Sequence, residues 1–340
     1  MDEGRKIVTI SAVILAVLGL GAILRLGKPV LFPLCLALFL YFVITPVLKA
    51  LERWKISRTV SLILIIAVTA VVLYLLAVLF YTSGKNFAAD IPSYGQKLGD
   101  LLENLKGTLK IPEGKWDPLA WLDNLDVGKV GSALLSSLGT FFSFMGNLFL
   151  ILVFLVFMLA GRDKLYLKIK RFSTPERSVQ TIAILEKIDH EVQKYLALKT
   201  VISLASGIVT IFILVAFGVR YAIAFGFFTF ILNYIPNIGS FISKVVPFLF
   251  AIVQFGGFWK AFWLLVVLTA VDTILAMVIE PRLMGRGLGL SPLAILISLF
   301  LWGWLWGLPG MVMSVPIMVI LKIVAANFPS LRWLEVLLSK

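Results

Sequence analysis

Long uncharged segments alternate with short basic ones along the chain. A helix crosses the bilayer core in roughly 20 apolar residues. Backbone polar groups inside lipid must be satisfied within the segment itself, which favours helices as the spanning elements here. The uncharged segments that reach or approach this length are residues 7–24, 29–48, 59–84, 130–161, 200–219 and 287–321. The pattern predicts an all-α polytopic membrane protein.

Basic side chains are concentrated beside these spans, at 49–58, 162–171 and 282–286. Loops rich in lysine and arginine stay on the cytoplasmic side, so the N-terminus, the C-terminus and these loops are predicted to be cytoplasmic. These basic segments explain the excess of positive charge, a formal net charge of +13. Because no aromatic-and-basic recognition motif accompanies it, we expect no nucleic-acid partner.

Two amphipathic segments separate the spans. Residues 85–129 have nearly balanced charge and apolar side chains at helical spacing, which predicts an extracytoplasmic helix followed by Trp116 and Trp121 at headgroup level. Residues 162–199 are predicted to be a cytoplasmic loop, then a helix that begins with Thr174 as N-cap and Pro175 at its first position. The predicted regions are spans one to three (1–82), the extracytoplasmic segment (83–133), span four (134–161), the cytoplasmic helix (162–199), the transport core (200–326) and a cytoplasmic tail (327–340).

Two hydrophobic segments of the second half, 221–259 and 287–321, contain helix-disrupting residues. A helix of 35 residues would be about 52 Å long, too long for one crossing of a core about 30 Å thick. We interpret both segments as broken or re-entrant hairpins that enter from opposite sides, with kinked ordinary spans as the alternative. Such pairs indicate a transporter's binding site. The predicted breaks are at Pro236 and Gly239, at Lys244 and Pro247, and at Gly303, Gly307, Pro309 and Gly310. The fold therefore has about eight membrane segments.

Ionisable side chains inside the spans are the main candidates for chemistry, because a charge at the bilayer centre costs roughly 2.5–3.5 kcal/mol. Asp272 and Glu280 follow each other at i and i+8, which places both carboxylates on roughly one helix face. Asp272 can carry a proton or bind a cation, or it only hydrogen-bonds a neighbouring span. For Glu280 we favour an ion pair with Arg282 or Arg286, and the alternative is that these three residues bind the substrate or ion.

Polar residues of the first hairpin form a second candidate group: Asn233, Asn237, Ser240 and Lys244. They can bind a polar solute at the ends of the broken helices. Alternatively, Lys244 extends to the interface and the asparagines cap the break. The predicted hinge positions are Pro236, Gly239, Pro281, Gly285, Gly303, Gly307, Pro309 and Gly310.

The sequence does not indicate enzyme chemistry. It has a single histidine, His190, and a single cysteine, Cys35, which excludes a two-histidine zinc site and an intrachain disulfide. A phosphate-binding GxxxxGK[ST] loop is missing, so ATP-driven pumping is not expected. We predict a secondary transporter or channel without a cofactor or a metal site.

Three strings resemble signatures of the autoinducer-2 exporter (AI-2E) family. They are NYIPNIGS at 233–240, EPRLMGRGLGLSP at 280–292 and LWGWLWGLPGM at 301–311, the last followed by Ser314 and Pro316. The resemblance covers the whole chain in span order and is strongest over 195–322. It implies a bacterial inner-membrane transporter of about eight segments, assembled as a homo-oligomer and expected to be a pentamer.

Members of that family are described as exporters of autoinducer-2 or as sodium or lithium/proton antiporters. The leading prediction is therefore a secondary exporter of a small polar signal, with proton coupling through Asp272 as one form of it. Exchange of a monovalent cation for protons is the alternative. A third possibility is a membrane scaffold that does not transport and organises partners through residues 85–129.

Overall fold

The computed structural model describes residues 3–108, 148–284 and 289–339. Within these ranges the chain is helical, with one isolated antiparallel bridge between Leu290 and Ser339. The helices are α1 (Glu3–Leu26), α2 (Lys28–Arg53), α3 (Arg58–Thr108), α4 (Leu148–Phe172), α5 (Pro175–Phe217), α6 (Ala222–Leu232), α7 (Ile238–Phe255), α8 (Phe258–Ile274), α9 (Glu280–Met284), α10 (Pro292–Trp306), α11 (Leu308–Asn327) and α12 (Arg332–Leu338). A π-helix (Leu275–Ile279) joins α8 to α9, and a 3₁₀ turn (Pro329–Leu331) precedes α12.

Six of the described helical stretches are long and apolar enough to cross a membrane, and three shorter ones are also apolar. The six include α2, the first part of α3, α5, α7, α11 and the continuous α8–α9 stretch, and the shorter ones are the start of α4, α6 and α10. The prediction of an all-α polytopic membrane protein is confirmed. The first part of the predicted fourth span lies outside the described residues.

The chain divides into two compact units. The first comprises Met1–Ile65, Asn147–Ala197 and Arg286–Lys340, and the second comprises Ile66–Gly146 and Leu198–Gly285. In the first unit, α2 packs along α4, and α10 packs along α11. In the second unit, the core includes Leu214 of α5, Ala251 of α7 and Leu264 of α8, all fully buried.

Both long helices extend beyond a single membrane crossing. The predicted helix after span three is continuous with that span, so α3 has 51 residues. The predicted helix beginning at Pro175 runs unbroken into span five, giving α5 its 43 residues. The basic segment after span four was expected to be a loop, but α4 continues through it to Phe172. Its lysines and leucines are good helix formers, which favours this extension. Trp116 and Trp121 lie outside the described residues.

The two predicted hairpins are present and have short breaks. The first break separates α6 from α7 at 233–237, and the second separates α10 from α11 at Gly307, which has φ of +76°. The predicted interruption at Lys244 and Pro247 is wrong, because α7 continues through both. Gly303 lies inside α10 rather than at a break. Pro309 lies in the first turn of α11, where its missing N–H removes no helical hydrogen bond.

Two glycines allow the arms of the hairpins to approach each other closely. A Cβ atom on Gly239 would collide with the backbone carbonyl of Leu232, and one on Gly310 would collide with that of Trp302. Backbone atoms cannot move aside as a flexible side chain can. These two predicted hinge positions therefore need glycine for close packing.

The π-helix at Leu275–Ile279 lies between Asp272 and Glu280. In an uninterrupted α-helix, the eight residues that separate the two carboxylates would make about 2.2 turns. A π-helix has a wider turn, so the rotation between them is closer to two full turns. The two carboxylates therefore share a helix face more closely than α-helical spacing predicts.

Candidate functional site

An ion pair joins two apolar helices of the second unit. The Nζ atom of Lys244 in α7 is 2.5 Å from Oδ2 of Asp272 in α8. The two side chains are only 18% and 20% exposed. An isolated charge is costly at this position, so each group compensates the other. The structure thus brings together the two charged residues that the sequence proposed separately.

A small cavity lies beside this ion pair. Its volume is about 20 Å³, and a cavity needs roughly 10–15 Å³ to hold one water molecule. In this conformation the site can hold a species the size of water, but not a larger organic solute. Besides the ion pair, its polar lining consists of Ser206, Thr210, Thr229 and Ser243.

A stripe of polar residues runs along one face of α5. Lys199, Ser203, Ser206 and Thr210 follow each other at intervals of four, three and four residues, the spacing of a single helix face. All four are buried, with at most 8% exposure. This stripe was not predicted above, although its helical spacing within an apolar segment is a signal that the sequence contains.

Asn233 at the first hairpin break belongs to this polar stripe. Its Nδ2 atom donates hydrogen bonds to Oγ of Ser203, at 3.2 Å, and to Oγ of Ser206, at 3.5 Å. The other predicted polar residues of the break lie at the turn itself. Asn237 is exposed and has φ of +61°, while the carbonyl of Ser240 accepts a hydrogen bond from Ser243.

A second ion pair lies at the start of the stripe. Nζ of Lys199 is 2.8 Å from Oε1 of Glu280, and the side chains are 8% and 24% exposed. From the sequence, Glu280 was expected to pair with Arg282 or Arg286. Arg282 is exposed, as is Pro281, while Gly285 and Arg286 lie outside the described residues. The arginines were favoured because they are close to Glu280 in the sequence. The proximity of α5 to Glu280 depends on tertiary packing and could not be predicted.

A third polar cluster surrounds the connection between α5 and α6. Nη1 of Arg220 is 2.9 Å from Oδ2 of Asp90, and the hydroxyl of Tyr221 donates to the same oxygen at 2.7 Å. The backbone N–H of Arg220 donates to Gln254, whose own amide donates to the carbonyl of Gly218. This cluster links the part of α3 beyond its apolar span to the first hairpin. The cluster could not be predicted from the sequence, because Asp90 and Arg220 are 130 residues apart.

The cluster predicts how stability changes at alkaline pH. Burial and the hydrogen-bonded carboxylate of Asp90 raise the pKa of Tyr221 above its ordinary value near 10. A tyrosine with a raised folded-state pKa contributes stability that is present below its unfolded pKa and lost as the pH rises through the folded pKa. We therefore expect the melting temperature to fall less steeply above about pH 10 in Tyr221→Phe than in the wild type.

Asp90→Asn provides the second variant for this measurement, because it keeps the tyrosine and removes the charge that favours its protonated form. Its melting temperature should also fall less steeply than that of the wild type. Equal slopes in the wild type and both variants would contradict the assignment.

Comparison with known proteins decides the family. Residues 12–330 match the family described as AI-2E family transporter. The chain belongs to the AI-2E transporter family. The match covers most of the chain and agrees with the family resemblance of the three strings. Membership of a transporter family points to a transporter rather than an enzyme.

Individual AI-2E relatives give the same result. The chain is 31% identical to the AI-2 transport protein TqsA of Escherichia coli K12, over 93% of this chain and 91% of that protein. It is 29% identical to a putative transport protein of Haemophilus influenzae, over 96% and 93% of the two chains. It is 30% identical to the putative transport protein YhhT of Escherichia coli K12, over 86% and 83%. Of these three relatives, TqsA alone has a solute in its name.

Proposed function

We propose that this protein is a secondary transporter of a small polar solute and that the Lys244–Asp272 ion pair is its exchange site. The observation that carries this proposal is the ion pair itself, held inside apolar helices beside a cavity lined by hydroxyl groups. In the empty state, Lys244 serves as the counter-ion of Asp272. A proton, a cation or a hydrogen-bonding solute can replace it there.

This replacement provides a physical basis for coupling. A ligand shifts a conformational equilibrium only by its difference in affinity for the two states. When Asp272 is neutralised by a proton or a cation, Lys244 loses its partner and becomes costly to keep buried. The loaded and empty forms therefore favour different arrangements of α7 and α8.

Autoinducer-2 is the solute that we propose first, exported from the cytoplasm. The support for it is the similarity to TqsA, whose name specifies AI-2 transport. The cavity of about 20 Å³ is too small for such a molecule, so the site would have to widen before the signal enters. Asn233, next to the site on the polar stripe, supplies a further hydrogen-bonding group.

Exchange of sodium or lithium for protons is the second candidate. A carboxylate and neutral oxygen atoms are the ligands that hard cations prefer. The lining of the cavity offers Asp272 together with four hydroxyl side chains, and its volume matches a single small ion better than an organic molecule. In this form of the function, Lys244 is the internal substitute for the alkali cation.

The cellular location, the functional regions and the oligomeric state are also part of the proposal. The basic loops support a bacterial inner-membrane location with both termini in the cytoplasm. We propose that the regions predicted from the sequence, with 200–326 as the transport core, are the functional division of the chain. A homo-oligomer, expected to be a pentamer, follows from the family resemblance. A scaffold that does not transport is the remaining alternative.

Proton flux in proteoliposomes tests the proposal. The purified protein is reconstituted with a trapped pH dye and receives pulses of autoinducer-2, sodium or lithium. Asp272→Asn removes the exchangeable charge, and Glu186→Gln, an exposed carboxylate of α5, is the matched control. A proton response to autoinducer-2 that is lost only in Asp272→Asn supports proton-coupled export.

The other outcomes separate the candidates. A response to sodium or lithium alone, again lost only in Asp272→Asn, would identify a cation antiporter. If labelled autoinducer-2 also fails to cross the membrane and no cation produces a response, the scaffold alternative is favoured. An active Asp272→Asn variant would remove this ion pair from the mechanism.

A further inference from the structure

We propose that the polar face of α5 lines the route between the exchange site and one membrane surface, and that the Lys199–Glu280 ion pair is the gate of this route. The inference rests on the proposed transport function and adds to it a path and a closing element. Glu280 thereby gains a role different from the structural ion pair expected from the sequence.

The position of the residues on α5 supports a continuous route. Thr210 lines the cavity beside Asp272, and Lys199 lies eleven residues earlier, about 16 Å along the helix axis. Ser203 and Ser206 occupy the two turns between them. The stripe therefore places a polar side chain on each turn between the exchange site and the second ion pair, with the buried Ile202 beside it.

The outer face of the same helix has the opposite character. Leu204, Ile208 and Phe212 are 52%, 44% and 70% exposed, as expected for side chains that face lipid. Ser203 and Ser206 are 0% and 5% exposed. A buried hydroxyl is costly without a hydrogen-bond partner, and Asn233 supplies one to both serines. The side of α5 that is turned away from lipid therefore carries hydrogen-bonding groups, which can bind a polar species when the helices separate.

The ion pair at the end of the stripe has the properties of a gate. In this conformation, Lys199 and Glu280 compensate each other and connect α5 to the segment after the π-helix. When water enters, each charge can be solvated separately, so the pair opens at low cost. The species that pass would be small, polar or hydrated, because the route offers hydroxyl, amide and charged groups. The basic segment at 282–286 follows Glu280 directly in the sequence. We therefore place this gate on the cytoplasmic side.

Chemical labelling of single cysteines tests the route without requiring transport. Cys35 is the single natural cysteine, so Cys35→Ser provides a cysteine-free background. Ser203→Cys, Ser206→Cys and Thr210→Cys report on the polar face. Leu204→Cys and Ile208→Cys report on the outer face at the same depth. Vesicles of each orientation receive a membrane-impermeant cationic thiol reagent, and the labelling rate is measured by mass spectrometry.

The gate is then weakened by Glu280→Gln. We expect labelling at 203 and 206 from the cytoplasmic side to accelerate about tenfold, the change in open population that loss of a modest ion pair produces. Labelling at 204 and 208 should stay slow. The charge exchange Lys199→Glu with Glu280→Lys should restore the slow rate, since it rebuilds the pair with reversed polarity.

A general loosening of the fold is detected by Ser298→Cys, a buried serine of α10, which should stay unlabelled. Unchanged rates at 203 and 206 in Glu280→Gln would overturn the gate, and so would equal acceleration at 204, 208 or 298. If labelling follows the expected pattern while the flux assay shows no transport, the route stands and the proposed cargo fails. If transport is found with unchanged labelling, the proposed function stands and this inference fails.

Discussion

Lys244→Met is expected to lower the free energy of unfolding by about 3 kcal/mol, because it leaves Asp272 without its counter-ion. Methionine keeps much of the length of the lysine side chain and removes its charge. Both partners are less than a quarter exposed, so water cannot fully replace the lost ammonium group. The measurement is thermal or denaturant unfolding of the purified protein in a mild detergent.

A double variant separates the cost of an unpaired charge from the loss of packing. Lys244→Met with Asp272→Leu removes both charges and should regain most of the stability, since a buried ion pair replaced by apolar groups is often neutral or stabilising. We expect it to remain inactive in the flux assay. Lys187→Met, at an exposed position of α5, should change stability by less than about 0.5 kcal/mol. Wild-type stability in the single variant Lys244→Met would contradict the assignment of a compensated pair.

Gly239→Ala is expected to destabilise the first hairpin by about 3 kcal/mol, at the upper end of the usual cost of overpacking. The added methyl group would collide with the carbonyl oxygen of Leu232, so the two arms must separate. Ser203 and Ser206 would then lose alignment with Asn233, and transport should fall together with stability. Unfolding and flux are measured on the same preparation.

Gly161→Ala is the matched control for this substitution. Gly161 lies inside α4, and a Cβ atom built there meets nothing within 4 Å. Alanine is favoured over glycine in a helix by about 0.8–1.0 kcal/mol, so this variant should be as stable as the wild type or more stable. Equal stability of Gly239→Ala and Gly161→Ala would show that the close approach at the hairpin is not required.

The sequence predicted the residues of the proposed exchange site, but not how they fit together. Lys244 and Asp272 stood out because charges are rare in apolar segments. Their pairing joins two helices across 28 residues and depends on tertiary packing, which periodicity cannot show. Glu280 illustrates the same limit, because the structure pairs it with Lys199, which is 81 residues away in the sequence.

Other features were missed for different reasons. The stripe on α5 consists mostly of hydroxyl side chains, which are common in membrane helices and attract less notice than charges. The spacing of these side chains along the sequence nevertheless indicates a single helix face. The π-helix leaves no comparable signal, because Leu275–Ile279 are ordinary apolar residues. The positions of the two hairpin breaks could be predicted, because Pro236, Gly239 and Gly307 disrupt helices locally. Pro247 has the same tendency, yet packing of α7 overrides it.

The π-helix between the two carboxylates makes their mutual orientation adjustable. Its wider turn contains a surplus residue relative to an α-helix, and such turns are frequent at functional sites. If this extra residue shifts by one turn, past Glu280, the Glu280 side chain rotates relative to Asp272 while both flanking helices stay folded. Binding at one carboxylate would then change the orientation of the other through a shift in helical register. On this view, Leu275–Ile279 couple the exchange site to the gate while the helices on either side of the π-helix stay folded.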